Sequence, residues 1–538
     1  MEPPAGDAAP GTALLTDHYE LTMVQAALHS GAADRRAVFE VFARHLPHGR
    51  RYGVVAGTGR LLDTIERFRF GPADLDFLHD AGIVDEATLR YLAAYRFGGN
   101  VWGYAEGDCY FPGSPILVVE GTFAEAVVLE TVSLSILNHD CAIASAASRM
   151  VTAACGRPLI EMGSRRTHER AAVASARAAF IAGFGSTSNL RARFEYGIPS
   201  GGTAAHAFTL VHDSERHAFA SQLESLGKGT TLLVDTYDVT RAVRTAVDVA
   251  GPGLGAVRID SGDLPATGRQ VRALLDSLGA RDTRIILTGD LDEYSIAALA
   301  ATPVDGYGVG TSLVTGSGAP TAALVYKLVA RSDDSGQLRP VAKRSVGKPG
   351  RGGRKWAVRH RDDHGTALAE RVSLIPPSPG RPGDRPLLRE LVRAGEIVGR
   401  EPVDAARSRH QDALAELPPY ALQLSRGYPA IPTEFDSDGE DLGVRWRRNR
   451  FGVGGGRAPA HGLPDLVLRA AADHRRHGRR RRRVNQRARS SPAHARGRRR
   501  VSGGRRPSGG SSRCGRGSGR RTPGAAAGRR RCGAARRG

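Results

Sequence analysis

Hydrophobic and polar positions follow two rhythms through the middle of the chain. Short apolar runs, TTLLV (230–234), GAVRI (255–259), RIIL (284–287) and GYGV (306–309), have the length and composition of buried parallel strands. Between them apolar residues recur at helical spacing, first Val239, Val243 and Ala246, then Val271, Leu274, Leu275 and Leu278. Strand alternating with helix predicts a parallel sheet, closed or wound, with its helices outside. Upstream, LTDHYELTMVQAALHSG predicts a helix and AVFEVFARHL a strand, while YFPGSPILVVEGTF (110–123) predicts turn and strand around Pro112, Gly113 and Pro115. Downstream, KLVARSDDSGQLRPVAKRSVGKPGRGGRKWAV predicts strands around glycine turns, followed by a charged helix and the proline-rich PAIPTEF.

Each central strand ends in the same vocabulary. TTLLV runs into Asp235-Thr236, GAVRI into Asp260-Ser261-Gly262-Asp263, RIIL into Thr288-Gly289-Asp290, and GYGV into Gly310-Thr311-Ser312. One such acid reads best as the N-cap of the next helix. Four polar strand ends in a row, with three carboxylates on one rim, instead predict a site for sugar hydroxyls or a metal.

Length changes the picture next: 538 residues exceed one ordinary core and predict more than one domain. The formal charge of +22 suggests a polyanion partner until it is located. Residues 441–538 hold 30 arginines against three acids, Asp441, Asp465 and Asp473, which leaves 47 basic and 52 acidic residues for 1–440. All the excess belongs to the tail. The five cysteines, Cys109, Cys141, Cys155, Cys514 and Cys532, show no metal spacing and fit a reducing compartment. MEPPAGDAAPG lacks the pattern of a signal peptide, and the apolar segment from Ala126 is broken by Glu130 and serines, so no membrane span is expected. The expected location is cytoplasmic.

Three polar clusters could join the rim. Glu161-Met162-Gly163-Ser164-Arg165-Arg166-Thr167-His168 sets two arginines on a glycine turn, suited to phosphate, or equally to a solvated basic turn. Gly183-Phe184-Gly185-Ser186-Thr187-Ser188-Asn189 offers small donors for a phosphate or sugar, or is a plain loop. Gly201-Gly202-Thr203-Ala204-Ala205-His206 gives a histidine room for a ligand, although a lone histidine is more often structural.

LLTDHYELTM, FEVFARHLP, EMGSRRTHERAA, GTAAHAF, LLVDTYDV, VRIDSGDL, GDLDE and GVGTSLVTG, in this order, closely resemble the nicotinate phosphoribosyltransferase family, and its actinobacterial members in particular. The resemblance covers about residues 14–434. It implies an α/β fold, an irregular (β/α) barrel of the type II phosphoribosyltransferase kind beside an N-terminal mixed α/β domain, usually in a homodimer with sites near the interface. The expected division is a disordered leader 1–13, the N-terminal domain 14–150, the barrel 151–335, a completing region 336–434 and a disordered tail 435–538.

By motif, His206 aligns with the histidine that ATP phosphorylates, with ATP as co-substrate and Asp235 placed to orient the ring. Tyr19, Thr203 and Arg258 match positions that contact nicotinate. Gly310 and Thr311 match the phosphoribosyl site, and Arg165 and Arg166 the family's arginine turn, assigned to phosphate. Asp260 and Asp290 suit ribose hydroxyls or Mg²⁺, and no metal ligand set is assigned. Ala207 stands where many relatives carry serine, which touches only a secondary hydroxyl contact.

The implied partners are nicotinate, phosphoribosyl pyrophosphate and ATP. A nicotinamide-specific relative shares the barrel and an arginine before its DSG strand end, but LLTDHYELTM and GTAAHAF favour the acid enzyme. The related quinolinate enzyme uses no phosphohistidine. A different class of reading is nucleic-acid binding through RRHGRRRRR (475–483), yet the tail has only Trp446 and Phe451 as aromatics and no specific motif. Resemblance stops near Glu434, so a frameshift or read-through extension is expected there rather than a specific nucleic-acid partner.

Overall fold

The four apolar runs are strands, Thr231–Leu233, Ala256–Ile259, Arg284–Thr288 and Gly306–Val309. They come from a computed structural model that describes residues 11–343, 350–377 and 383–436. With Leu159–Glu161 and Ser186–Thr187 they make one six-stranded, all-parallel sheet. Its order is 186–187, 159–161, 306–309, 284–288, 256–259, 231–233. Register aligns the strand ends, with Ile286 opposite both Gly306 and Arg258. The helices Val239–Ala250 and Leu264–Ser277 bury Val243, Ala246, Val271 and Leu275, as the spacing predicts. Capping claims three other acids: Asp238, Asp263 and Asp292 accept from the backbone N–H groups of Arg241, Ala266 and Ser295. Asp235, Asp260 and Asp290 cap none of these helices, which separates the site reading from the capping reading residue by residue.

Of the expected irregular barrel, the described residues show a half-barrel parallel sheet, with 231–233 and 186–187 at its edges. The chain after the second edge follows it: Thr187 N–H donates to Pro199 O at 3.0 Å and Gly201 N–H to Thr187 O at 3.1 Å. It then leads through Gly202 to His206, whose Nδ1 lies 3.1 Å from Thr236 Oγ1 beyond the opposite edge. The two edges are thus bridged by residues 199–206 rather than by strand pairing.

The expected domain boundaries also shift. A seven-stranded sheet has the order 338–340, 324–332, 36–43, 117–122, 100–104, 388–393, 396–397. Leu324–Ser332, expected within the barrel domain, pairs with Arg36–Ala43, and Phe39 stacks on Tyr326 at 4.9 Å. Leu388–Arg393 pairs with Asn100–Tyr104. Apolar runs show that a strand is buried, not which sheet it joins.

A third sheet, 384–386, 356–361, 367–373, 433–435, extends past the expected start of the tail: Phe435 is opposite Val372, and Asp436 N–H donates to Val372 O. The expected leader ends earlier than residue 13, since Thr12 Oγ1 donates to Thr64 O and Ala13 is fully buried. The rest of the leader and tail readings, including nucleic-acid binding, fall on 1–10 and 437–538, outside the described residues.

The helix Glu130–Ala154 contributes to both large cores, Ile136 and Leu137 to one, Ile143, Ala147 and Met150 to the other. Phe123–Ala154 is long and apolar enough to cross a membrane, contrary to expectation, but 67% of its apolar window is buried by the rest of the chain. Glu130 and the serines do not break it. It is a core helix by burial.

Candidate functional site

Period-2 alternation explains why Arg258 faces away from the core that Val257 and Ile259 enter, since alternate residues of a strand point to opposite faces. Its guanidinium donates through Nε to Thr288 Oγ1 at 2.8 Å and through Nη2 to Asp260 Oδ1 at 3.0 Å. Thr288 Oγ1 in turn donates to Asp260 Oδ1. Burial alone would raise the Asp260 carboxyl, but the Thr288 hydrogen bond and the Arg258 charge outweigh it and hold the group below its usual range. The rim therefore carries an ionised carboxylate fixed to an arginine.

Asp235 ties the neighbouring strand end to this group. Its Oδ2 accepts from Asp260 N–H at 2.9 Å and from the Ser261 hydroxyl at 2.7 Å. Its Oδ1 is buried with no hydrogen-bond partner, 3.9 Å from His206 Nε2. His206 opens the short helix His206–Leu210 and is 40% exposed. Its ring bond goes to Thr236, and at 3.9 Å Asp235 makes no hydrogen bond to the ring in this geometry. Thr203 lies exposed on the same loop, its hydroxyl 3.5 Å from Ala204 O.

Asp290 and Gly289 follow the third strand with φ of 45° and 128°. A Cβ on Gly289 would meet Asp260 O at 2.5 Å, so only glycine lets these strand ends approach so closely. Asp290 is exposed. Gly310 caps the turn Thr311–Val314, with Thr311 exposed. The arginine turn packs directly on it: a Cβ on Gly163 would stand 2.1 Å from Val314 Cγ1. Arg166 N–H closes that turn on Gly163 O, and both Arg165 and Arg166 are exposed. Beneath it Glu161, buried and with its carboxyl pushed up by burial, accepts from Gly163 N–H and the Thr187 hydroxyl. Asn189 Nδ2 donates to Ser164 Oγ at 2.9 Å, so the first two polar clusters form one network.

Tyr19 is not brought to this rim. It is an exposed residue near the start of His18–Ser30, its hydroxyl pushed up to about 12 by partial burial and the Glu130 charge. Glu130 belongs to the core helix, whose neighbour Thr131 bonds Glu20. A cavity of about 240 Å³ lies elsewhere, lined by Thr58, Glu106, Arg389, Leu391, Arg400 and Glu401. Its arginines are paired with Glu401, Asp63 and Glu66. Among the described residues no three His, Cys, Asp or Glu side chains converge as a metal cage. Thr236, Ser261 and Thr288 were missed as site residues. Their signal was position, one residue from a rim carboxylate or at a strand end.

The nicotinate phosphoribosyltransferase (NAPRTase) N-terminal domain model matches residues 14–138. The nicotinate phosphoribosyltransferase pncB1 of Mycobacterium tuberculosis (strain CDC 1551 / Oshkosh) is 59% identical over 433 residues, spanning 78% of this chain and 94% of the relative. The nicotinate phosphoribosyltransferase of Bacillus subtilis (strain 168) is 36% identical over 330 residues, spanning 60% of this chain and 67% of the relative. Among solved structures, human nicotinic acid phosphoribosyltransferase superposes with a TM-score of 0.69 at 24% identity, over 80% of this chain and 99% of that one. That last likeness is one of fold.

Proposed function

The chain belongs to the nicotinate phosphoribosyltransferase family, and from that membership we propose that it joins nicotinate to the ribose phosphate of phosphoribosyl pyrophosphate in NAD salvage. The observation that carries the reading is the rim group in which Arg258, Asp260 and Thr288 stand beside Asp235 and His206. Arg258 gives two of its five N–H donors to the protein and keeps the rest for the pyridine carboxylate. Thr203 lies on the loop that leads to His206, within the same reading of a nicotinate pocket.

The pyridine nitrogen attacks ribose C1 as pyrophosphate leaves, through a transition state with oxocarbenium character. Thr311 and the Gly310 backbone take the phosphoribosyl group, and Arg165 and Arg166 the phosphate charge. Asp260 engages the protein through Oδ1, which fits Oδ2 to a ribose hydroxyl, and Asp290 is exposed beside it. Magnesium, when bound, neutralises charge on the leaving pyrophosphate. The donor set fits that ion: one or two rim carboxylates with substrate phosphates suffice, and no protein cage is required.

ATP is coupled through His206. A neutral ring nitrogen attacks the γ-phosphorus, ADP leaves, and later hydrolysis of phosphohistidine drives the transfer forward. The half-barrel, bridged by residues 199–206, is read as an irregular barrel of the type II kind. A homodimer completes the site: Tyr19 lies outside the rim of its own chain, so a second copy would supply it. A cytoplasmic setting fits the free Cys109, Cys141 and Cys155.

The test is conversion of labelled nicotinate and nicotinamide by the full chain, with and without ATP. Nicotinate should be used far better, with ATP raising the yield of mononucleotide. Equal rates with the two bases would overturn the reading.

A further inference from the structure

The turn Thr311–Val314 leaves the rim through three consecutive residues of left-handed backbone, Gly316, Ser317 and Gly318, with φ of 60°, 50° and 78°. Each of the three is held from outside the turn. Arg50 Nη2 donates to Gly316 O at 2.5 Å, Ser317 Oγ donates to Glu293 Oε2 at 2.6 Å, and the His48 ring lies 3.1 Å from Gly318 O. Ser317 N–H also closes back on Ser312 O at 2.6 Å. A serine at positive φ is unfavourable by itself, so its surroundings must impose the conformation.

Two of the holding groups, Glu293 and Arg50, are buried and charged, whereas His48 is exposed. Glu293 is 2% exposed, Arg50 5% and Arg149 7%. Glu293 Oε1 accepts from Arg149 Nε at 3.1 Å, and Arg149 Nη2 donates to Leu424 O. Arg50 also donates to Ala142 O on the core helix. Glu293 pairs with Arg149, while Arg50 bonds the carbonyls of Ala142 and Gly316, which leaves one net positive charge beneath the turn. Apolar packing would hold a turn at lower desolvation cost. What the ionic arrangement adds is a fixed backbone geometry and a field that favours an anion above it.

We propose that Ser317, Glu293 and Arg50 are positioning residues for phosphoribosyl pyrophosphate, latching the 316–318 exit so that Gly310, Thr311 and Ser312 stay aligned at the rim. The inference rests on the reading that Thr311 meets the phosphoribosyl group. None of the three touches substrate in this scheme; they act through the backbone of the loop.

Full-length Ser317→Gly tests it, because glycine removes the hydroxyl while relieving the positive φ. Steady-state kinetics should show KM for phosphoribosyl pyrophosphate raised about five- to ten-fold, with kcat and the nicotinate KM within about two-fold. The thermal midpoint should not fall. Ser317→Asn, which tolerates left-handed backbone and can donate to Glu293, should restore the KM. Glu293→Gln should raise the same KM and add little to Ser317→Gly, as expected for one shared contact. Thr311→Ala is measured alongside. A raised KM in Thr311→Ala with an unchanged one in Ser317→Gly overturns the latch alone. An unchanged KM in Thr311→Ala overturns the reading of the loop, and the inference with it.

Discussion

Nε2 of His206 stands 3.9 Å from Oδ1 of Asp235, and that oxygen is buried without a hydrogen-bond partner. A closure of about 1 Å would pair them. Asp235→Asn should preserve the turn, because an amide oxygen can still accept from Asp260 N–H and the Ser261 hydroxyl, while removing the charge opposite the ring. We expect an acid-labile label from γ-labelled ATP on the wild type and none on His206→Ala. Labelling of Asp235→Asn should slow by about 10- to 100-fold, and that of Thr236→Val by less. An undiminished rate in Asp235→Asn would show that the carboxylate has no part in phosphorylation.

Arg258 fixes Asp260 and Thr288 through two of its donors, and in the proposed reading the remaining donors meet the carboxylate of the base. Arg258→Lys keeps the charge but cannot fork. The nicotinate KM should rise by an amount equivalent to about 1.5 to 3 kcal/mol, and preference over nicotinamide should narrow. Steady-state comparison of the two bases checks this; an unchanged preference would remove Arg258 from base recognition.

His410 sits far from the rim, fully enclosed between Gly107 O and Ser148 Oγ, each 2.9 Å from its ring. Burial pulls its pKa down from 6.5 to about 4. The folded state therefore refuses a proton that the unfolded chain accepts. Stability from this group is complete above pH 6.5, falls as pH drops towards 4, and changes no further below that. The loss is at most about 3 kcal/mol. Urea unfolding across that range should show the slope in the wild type and flatten in His410→Gln; equal slopes would contradict the assignment.

The four central strands were legible because a short buried parallel strand leaves an uninterrupted apolar run, and the helices between them because Val271 to Leu278 repeat at helical spacing. The rim carboxylates were legible from their place after each run. What the sequence hides is pairing: nothing in KLVARS says that Leu324–Ser332 lies beside Arg36–Ala43. The hydroxyls stood in the polar strand ends, but their partners were hidden. Thr236 and Thr288 are ordinary residues until the backbone turns them towards His206 and Asp260. The roles given to Tyr19, Thr203 and Thr311 came from motif resemblance alone.

Gly289 tests how tightly the rim is drawn. At φ 128° and 2.5 Å from Asp260 O, an added Cβ must strain the backbone or push the strand ends apart. Gly289→Ala should cost about 1 to 3 kcal/mol of stability and lower kcat/KM for both substrates, because Asp260 and Asp290 move together. Full activity in a stable Gly289→Ala protein would mean that the close approach is not required.

The last strand marks where the enzyme can be cut. Thr433–Phe435 pairs in parallel with Ala367–Ser373, Asp436 N–H donates to Val372 O, and Arg351 lies over the Phe435 ring at 3.9 Å. The described contacts that build the rim all come from residues before this strand. A chain ending at Asp436 should keep wild-type kcat/KM and melting midpoint despite losing 30 arginines. A chain ending at Pro432 loses a strand and its partly buried phenylalanine, and should be less stable by about 1 to 3 kcal/mol. Because none of the rim hydrogen bonds described above comes from the third sheet, that shorter chain should still turn over below its melting midpoint. Loss of activity at Asp436 would assign the arginine-rich segment a part in the enzyme, and equal stability of the two truncations would remove the strand from the fold's support.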